Sequence, residues 1–188
     1  DKAITSMEII DEKLLSKLPA LKKISKFGVG IDMIDTIALK KKGIKLNYFP
    51  GTNKRSVSEL VISLSTLLLR KAPIMNADMK EGKWKQIKGR QLSGLTVGII
   101  GCGPIGRDVI HLIQPYQCKL LLFDQINLEE LCNNYKNVRQ TTLENLLTQS
   151  DVITIHLPLN EKTKNIINSD MVKLIKKNAV LINLARGG

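Results

Sequence analysis

The sequence predicts an α/β fold built around parallel sheets. Short apolar stretches alternate with segments whose apolar residues recur at helical spacing, which is typical of parallel strands covered by helices on both faces. At 188 residues, with 43% hydrophobic and 24% charged residues, the chain has the composition of a globular protein with one domain or two small ones. We therefore expect helix-covered sheets and not a disordered or fibrous chain.

The first part of the chain alternates strand, helix and strand. Residues 24–27 form a predicted strand that runs into a glycine turn. Residues 32–42 carry apolar side chains at helical spacing, and residues 43–48 predict a second strand. Pro50 and Gly51 then predict a turn, because both residue types favour turn conformations.

The clearest helix begins at Ser56 and bears one apolar stripe. Glu59 follows Ser56 at the spacing of a capping box, in which each side chain satisfies the backbone N–H of the other residue. Pro73 is expected to end or restart the helix, because proline lacks the N–H that the helix interior requires. A second helical piece reaches Met79 and gives way to a polar stretch.

We predict a domain boundary in or just after this long helix, before the regular alternation of strands and helices begins. We predict a partial first domain at residues 1–72 and a partial second domain at residues 73–188. The second domain alternates four strands with three helices, which favours a parallel sheet covered on both faces. The predicted strands are 96–100, 119–123, 152–155 and 179–182, and the predicted helices are 105–113, 143–147 and 171–175.

A G-x-G-x-x-G motif lies between the first strand and the first helix of the second domain. In such a motif Gly101 makes the tight turn, Gly103 lets the backbone approach a pyrophosphate, and Gly106 lets the helix pack against the strand. The helix that begins near Pro104 and Ile105 offers free N–H groups and a positive dipole end to the phosphates. The motif therefore predicts a dinucleotide-binding turn.

An acidic residue completes this fingerprint. Asp124 ends the next strand, 23 residues after Gly101, where an acid is expected to bind the ribose hydroxyls of the adenosine. A carboxylate there would repel a 2′-phosphate, so NAD is the predicted cofactor and not NADP. The second domain is therefore predicted to be a Rossmann-type parallel sheet, incomplete because about four strands stand where that fold normally has six.

Composition argues against several other classes of function. The formal charge of +12 can attract nucleic acid, but the lysines are spread along the chain and only 3 Phe, 3 Tyr and 1 Trp are present for stacking. The lysines at 40–42 precede Gly43, where they complement the dipole at a helix end. We therefore predict no nucleic-acid partner.

Neither a membrane partner nor a metal site is predicted. The longest nearly apolar run, residues 60–69, is about half the length that a membrane-spanning helix needs. Three scattered cysteines are too few for a disulfide framework or a zinc site, and they suggest free thiols in a reducing cytoplasm.

Six ordered blocks of the chain resemble the D-isomer-specific 2-hydroxyacid dehydrogenase family, and most of all its phosphoglycerate dehydrogenase branch. They cover nearly the whole chain. The blocks are KFGVGID at 26–32, PGTN at 50–53 with SVSE at 56–59, KEGKW at 80–84, LSGLTVGIIG at 92–101, SDVITIHLPL at 150–159 and NLARGG at 183–188. The resemblance implies that residues 1–72 are part of a flavodoxin-like substrate domain.

The resemblance also implies substrate-binding residues. Arg186 matches a catalytic arginine that holds the substrate carboxylate and polarises its carbonyl, a role that suits a planar and permanently charged guanidinium. Val29 and Gly30 match a turn whose amides bind the same carboxylate. Lys26 matches an arginine that faces the substrate phosphate. Phe49 stands where the phosphoglycerate enzymes usually carry threonine.

The remaining implied residues concern the cofactor. Leu184 and Ala185 match residues that border the nicotinamide. His156, Leu157 and Pro158 match a cofactor-lining loop that follows a strand of the sheet. For His156 the position is one of structure and of cofactor lining, not of proton transfer.

The resemblance implies an NAD-dependent oxidoreductase acting on a small anionic D-2-hydroxy acid. D-3-phosphoglycerate is the favoured substrate, which would place the enzyme in serine biosynthesis. The alternatives are glycerate, lactate or phosphite as substrate, or a corepressor-type scaffold that binds NAD without turnover. A homodimer or higher homo-oligomer in the cytoplasm is also implied.

The end of the chain bears on the mechanism. In the family a histidine acts as general acid and base, poised by a glutamate, and both belong downstream of the motif that contains Arg186. The other histidine outside the cofactor loop, His111, is expected to be exposed or to pack on the helix after the glycine turn. We therefore interpret the chain as an internal segment that is inactive by itself.

Overall fold

The computed structural model describes residues 1–187, which form two compact units that are each described here separately. The chain passes from the first unit to the second between Asn53 and Lys54, and not at the predicted boundary after residue 72. The long helix belongs to the second unit because Val61 and Leu69 are buried in the core of that unit. The sequence showed the apolar stripe of this helix but not that the stripe packs into the second unit.

The first unit is a three-stranded parallel sheet with two short helices. The sheet has the order β1-β2-β3, and its core contains Leu15, Ile24 and Leu39. The sequence predicted β2, α2 and β3 but missed β1 and α1. Both are short, and β1 is an edge strand on which Ile4 is 82% exposed, so no buried pattern marks it. The elements are β1 Lys2–Thr5, α1 Glu12–Ser16, β2 Lys23–Lys26, α2 Thr36–Lys41 and β3 Lys45–Asn47.

The second unit opens with two helices, α3 (Lys54–Leu69) and α4 (Ala72–Lys80). The predicted capping box is wrong, because α3 begins two residues before Ser56 and Glu59 therefore lies inside the helix. The turn that follows Pro50 leads directly into the first residue of α3, so residue 56 is not at the helix end and no side-chain cap is required there.

The two helices are separate, as the proline predicted. Lys71 adopts a left-handed conformation with φ of 56°, Pro73 lies in the first turn of α4, and the helices bend by 65°. Every residue of α4 is at least partly exposed. Among the described residues no single helix has the length and apolar character to cross a membrane, and only the bent pair taken together passes that test.

The rest of the second unit is a five-stranded parallel sheet with the order β6-β5-β4-β7-β8. This order reverses beside β4 and confirms the predicted Rossmann-type architecture. The sequence missed α6 and β6, each five residues or shorter, so the described sheet has five strands and not the four expected. Its elements are β4 Thr96–Ile100, α5 Pro104–Ile113, a 3-10 turn Gln114–Tyr116, β5 Lys119–Phe123, α6 Glu129–Asn133, β6 Val138–Gln140, α7 Leu143–Gln149, β7 Val152–Ile155, α8 Ser169–Leu174 and β8 Val180–Asn183.

Apolar layers cover both faces of this sheet. On one face, α3 and α5 contribute Val61, Val109 and Ile110 to the larger core cluster. On the other face, α7 contributes Leu146 and Leu147 to a second cluster. The central strands β4 and β7 are almost wholly apolar because they are buried between these layers.

Asp151 stabilises the edge of the sheet at which the parallel strands begin. Its carboxylate accepts hydrogen bonds from the Thr96 N–H at 3.1 Å and from Lys176 Nζ at 3.1 Å, and Arg90 Nη1 lies 3.4 Å away. Burial would raise the pKa of Asp151, but these hydrogen bonds and the two cationic charges outweigh burial and hold the pKa below its ordinary value. The carboxylate is therefore charged and ties β4 to the segments on either side.

The register of β5, β4, β7 and β8 places the carboxyl ends of these four strands at one level. Phe123, Ile100, Ile155 and Asn183 lie in one row across β5, β4, β7 and β8. The residue that follows each of them leaves the sheet at the same edge, beside the point where the strand order reverses. Ligands bind at this place in open α/β sheets.

Candidate cofactor and substrate site

The glycine turn after β4 is required by its surroundings. Gly101 has φ of +94°, and a Cβ there would lie 2.9 Å from the carbonyl carbon of His156. A Cβ on Gly106 would lie 2.2 Å from the carbonyl oxygen of Gly101. A side chain at either position would push the turn, β7 or α5 out of place, so these two glycines set the geometry of the loop.

The middle of the turn faces open space. A Cβ on Gly103, the residue before α5, would meet no atom within 4 Å. Pro104 is the first residue of α5, where a missing N–H is not needed, and Ile105 is half-buried behind it. The ten-residue helix therefore presents its free amides and positive end towards a space that a pyrophosphate would fit.

Asp124 lies beside this turn, as the fingerprint predicted. Its Oδ2 accepts a hydrogen bond from the Cys102 N–H at 2.7 Å, and its Oδ1 accepts one from the Ile126 N–H at 3.3 Å. Both oxygens keep further lone pairs, since a carboxylate accepts about four hydrogen bonds in total. The half-buried carboxylate is thus fixed in place and still able to accept the two hydroxyls of a ribose.

Two residues that support Asp124 were missed in the sequence. Gln140 holds the turn after β5, because its Oε1 accepts the Leu128 N–H at 2.8 Å and its Nε2 donates to the Ile126 carbonyl at 2.8 Å. Arg107 donates from Nε to the Cys102 carbonyl at 3.0 Å. Gln140 acts on backbone groups 12 and 14 residues away, so no local motif marks it, and Arg107 directly follows the glycine motif but is not one of its defining positions.

His156 follows β7 and packs against the glycine turn. Its Nε2 lies 3.0 Å from Thr154 Oγ1, while its Nδ1 is buried with no hydrogen-bond partner among the described residues. Burial lowers the pKa of His156 to about 4. The ring is therefore neutral near pH 7 and is not placed as a cation beside the cofactor. His111 is exposed on α5.

The segments after β7 and β8 enclose a cavity of about 260 Å³. Leu157, Pro158, Ala185 and Arg186 are among its lining residues, so the structure brings together four of the predicted site residues. Leu184 differs, because it packs against the larger core cluster and does not line this cavity.

Asn183 shapes the turn that carries the predicted catalytic arginine. Its Oδ1 accepts the Ala185 N–H at 3.0 Å, and its Nδ2 donates to the Arg186 carbonyl at 2.8 Å. The Arg186 guanidinium donates from Nη1 to the Ala185 carbonyl at 2.8 Å, and the residue is exposed. The sequence analysis included Asn183 in a block but assigned it no role.

The first unit has a cavity of its own, of about 400 Å³, at the carboxyl end of β2. Lys26 and Val29 line it, but Gly30 does not. Phe27 and Phe49 line the same cavity and are 78% and 77% exposed. One lysine, two aromatic rings and the polar side chains of Thr52 and Asn53 therefore define the chemistry of this cavity.

Acidic, histidine and cysteine side chains do not gather into a metal site anywhere in residues 1–187. The cysteines Cys102, Cys118 and Cys132 are free. Burial raises the pKa of Cys102 to about 12 and that of Cys118 to about 11, so both thiols stay protonated at neutral pH.

Comparison with known proteins adds to this geometry. Residues 62–188 match the NAD binding domain of the D-isomer specific 2-hydroxyacid dehydrogenases, which confirms the predicted cofactor. The chain is 34% identical over 181 residues to D-3-phosphoglycerate dehydrogenase of Methanocaldococcus jannaschii, covering 95% of this chain and 34% of that protein. It is 36% identical over 170 residues to hydroxypyruvate reductase of Thermotoga maritima, covering 89% and 54%.

A solved structure is also similar. D-lactate dehydrogenase from Aquifex aeolicus, complexed with NAD and lactic acid, matches with a TM-score of 0.89 at 34% identity, covering 98% of this chain and 56% of that one. The chain thus spans about a third to a half of the lengths of these proteins. It belongs to the D-isomer specific 2-hydroxyacid dehydrogenase family.

Proposed function

We propose that the protein containing this chain oxidises D-3-phosphoglycerate with NAD. Hydride would leave the alpha carbon of the hydroxy acid for the nicotinamide, while the hydroxyl proton passes to a base. The cofactor supplies the hydride chemistry, and the chain supplies orientation and charge. The observation that carries the choice of substrate is Lys26, the cation that lines the cavity of the first unit.

The cofactor half of the proposal depends on the second unit. Gly103 and the first turn of α5 would bind the pyrophosphate, because open space and free amides meet there. Asp124 would accept the ribose hydroxyls through the lone pairs that its two backbone hydrogen bonds leave free. Arg186 would hold the substrate carboxylate through its planar guanidinium.

A second candidate substrate is a D-2-hydroxy acid with a small apolar side chain, such as D-lactate. The exposed rings of Phe27 and Phe49 favour it, because they present apolar surface to the cavity that Lys26 lines. A phosphate needs hydrogen-bond donors at that place, and aromatic carbon supplies none.

Initial rates with the full-length protein decide between these two candidates. We expect kcat/KM to be higher for D-3-phosphoglycerate than for D-glycerate or D-lactate. Lys26→Ala should lower kcat/KM for the phosphorylated acid by about tenfold or more, since a hydrogen bond to a charged group is typically worth about 1.5–3 kcal/mol. Lys45→Ala, an exposed lysine at the start of β3, is the matched control. A preference of the unchanged protein for D-lactate would reject the phosphoglycerate proposal.

The proposal includes self-association through α4 and the segment that follows it. This surface is apolar and exposed: Ile74 is 54%, Met79 is 53% and Trp84 is 85% exposed. Met79 and Trp84 line a cavity of about 440 Å³ together with Met75 and Lys83. Trp84→Ser should shift a homodimer towards monomer in sedimentation velocity. The proposal also includes a role in serine biosynthesis, which the substrate implies, and a location in the cytoplasm, which the free cysteine thiols suggest.

A further inference from the structure

An arginine and a carboxylate lie on either side of one loop residue at the ribose site. Asp124 Oδ2 accepts the Cys102 N–H at 2.7 Å, and Arg107 Nε donates to the Cys102 carbonyl at 3.0 Å. Both charged side chains are therefore anchored to the main chain of the same residue. They share this anchor although 17 positions separate them in the sequence.

The two charges do not neutralise each other directly. Within the described residues Arg107 forms no ion pair, and its Nε hydrogen bond leaves the two terminal nitrogens of the guanidinium available. The residue is exposed on the first turns of α5. The charges of both side chains act on the Cys102 thiol. Its pKa is raised by burial and by the charge of Asp124 and lowered by the charge of Arg107.

A 2′-phosphate on the adenosine ribose would meet both groups. Next to Asp124 it would bring two anions together, which opposes binding. Next to Arg107 it would meet a planar cation with free donors, the arrangement that suits bidentate phosphate binding. The preference for NAD or NADP would then depend on the repulsion of the phosphate by Asp124 and its attraction by Arg107, two residues that both bond to the backbone of Cys102.

We propose that Arg107 is a binding position for the 2′-phosphate of NADP, which the charge of Asp124 keeps closed. The proposal rests on the proposed function, in which Asp124 binds the ribose. On this proposal the chain already contains the cation that NADP needs, and one carboxylate excludes that cofactor. Neutralising Asp124 without disturbing the loop should open the position.

The test uses Asp124→Asn, because an asparagine oxygen can still accept the Cys102 N–H and preserve the loop. It is combined with Arg107→Ala alone and as the double variant. Binding of NADH and of NADPH to the full chain is measured by nucleotide fluorescence, which needs no turnover. The matched control is Arg139→Ala, an exposed arginine of the same unit that lines a cavity with Thr96 at the amino edge of the sheet.

We expect Asp124→Asn to raise affinity for NADPH relative to NADH by about tenfold or more. Adding Arg107→Ala should abolish that gain, and adding Arg139→Ala should leave it intact. A gain in NADPH binding that survives Arg107→Ala, or no gain in Asp124→Asn, would overturn the assignment of Arg107. If the unchanged chain binds neither nucleotide, the proposed function itself fails, which distinguishes the two failures.

Discussion

Acid should destabilise the second unit through His156. Burial lowers the pKa of His156 from its ordinary 6.5 to about 4. Below pH 6.5 the unfolded chain therefore binds a proton that the folded unit does not bind, and the unfolded state is favoured as the pH falls. The stability contributed by the neutral ring is fully present above pH 6.5 and is lost as the pH falls to about 4.

The size of the effect follows from the shift. At about 1.36 kcal/mol for each pKa unit, lowering the pH from about 7 to about 4.5 should remove about 2.5 kcal/mol of unfolding free energy through this one group. The structural cause is visible, since the buried Nδ1 has no described partner that could compensate a charge.

The assay is urea unfolding followed by far-ultraviolet circular dichroism at both pH values. Carboxylates also titrate over this range, so the informative quantity is the difference between the protein and a variant. His156→Gln should lose about 2.5 kcal/mol less on acidification than the unchanged chain. His111→Gln, which removes the exposed histidine of α5, should behave like the unchanged chain. The same acid sensitivity in His156→Gln would refute the reasoning.

Three further outcomes are expected. Gly106→Ala should lower the unfolding free energy by about 3 kcal/mol or more, because its Cβ would lie 2.2 Å from a carbonyl oxygen. Gly103→Ala should retain the fold and weaken NADH binding, so equal thermal stability of the two variants would contradict the reasoning. Asp151→Ala should cost about 2 kcal/mol at neutral pH, and because the folded pKa is lowered this cost should shrink as the pH falls through it; an exposed Glu144→Ala is the control in thermal unfolding. The 188-residue chain should bind NADH yet oxidise no 2-hydroxy acid in a spectrophotometric assay, and robust turnover would show that the proton acceptor lies within it.

The central strands of the second unit have a physical property that makes them predictable from the sequence. The central strands β4 and β7 are buried on both faces, so their sequences are almost wholly apolar, each with a single threonine, and are recognisable alone. The missed strands β1 and β6 lie at sheet edges and carry exposed residues, so no buried pattern marks them. The edge strand β3 is as exposed but was predicted, because Gly43 and the turn at Pro50 and Gly51 bound it in the sequence.

The candidate site divides in the same way. Gly101 and Gly106 could be predicted because the need for a missing side chain is local to a strand, turn and helix. Gln140 could not, because its amide acquires a role only when folding brings the backbone of a segment 12 residues away within hydrogen-bond distance. Asn183 bonds to the backbone within the next three residues, a local turn that asparagine commonly forms, so its role could have been inferred from the sequence. The family resemblance identified Arg186, but the inward packing of Leu184 required the three-dimensional arrangement.

The shared row of strand ends has a consequence for insertions and deletions. Phe123, Ile100, Ile155 and Asn183 are held level by main-chain hydrogen bonds, so loops that start after them can lengthen or shorten without moving their starting points. Removing one residue inside β4 is different. It would shift the turn by about 3.3 Å and exchange the two buried faces of the strand. Changes of length should therefore be tolerated in the loops, except in the closely packed glycine turn after β4, and should unfold the unit when they fall inside a strand.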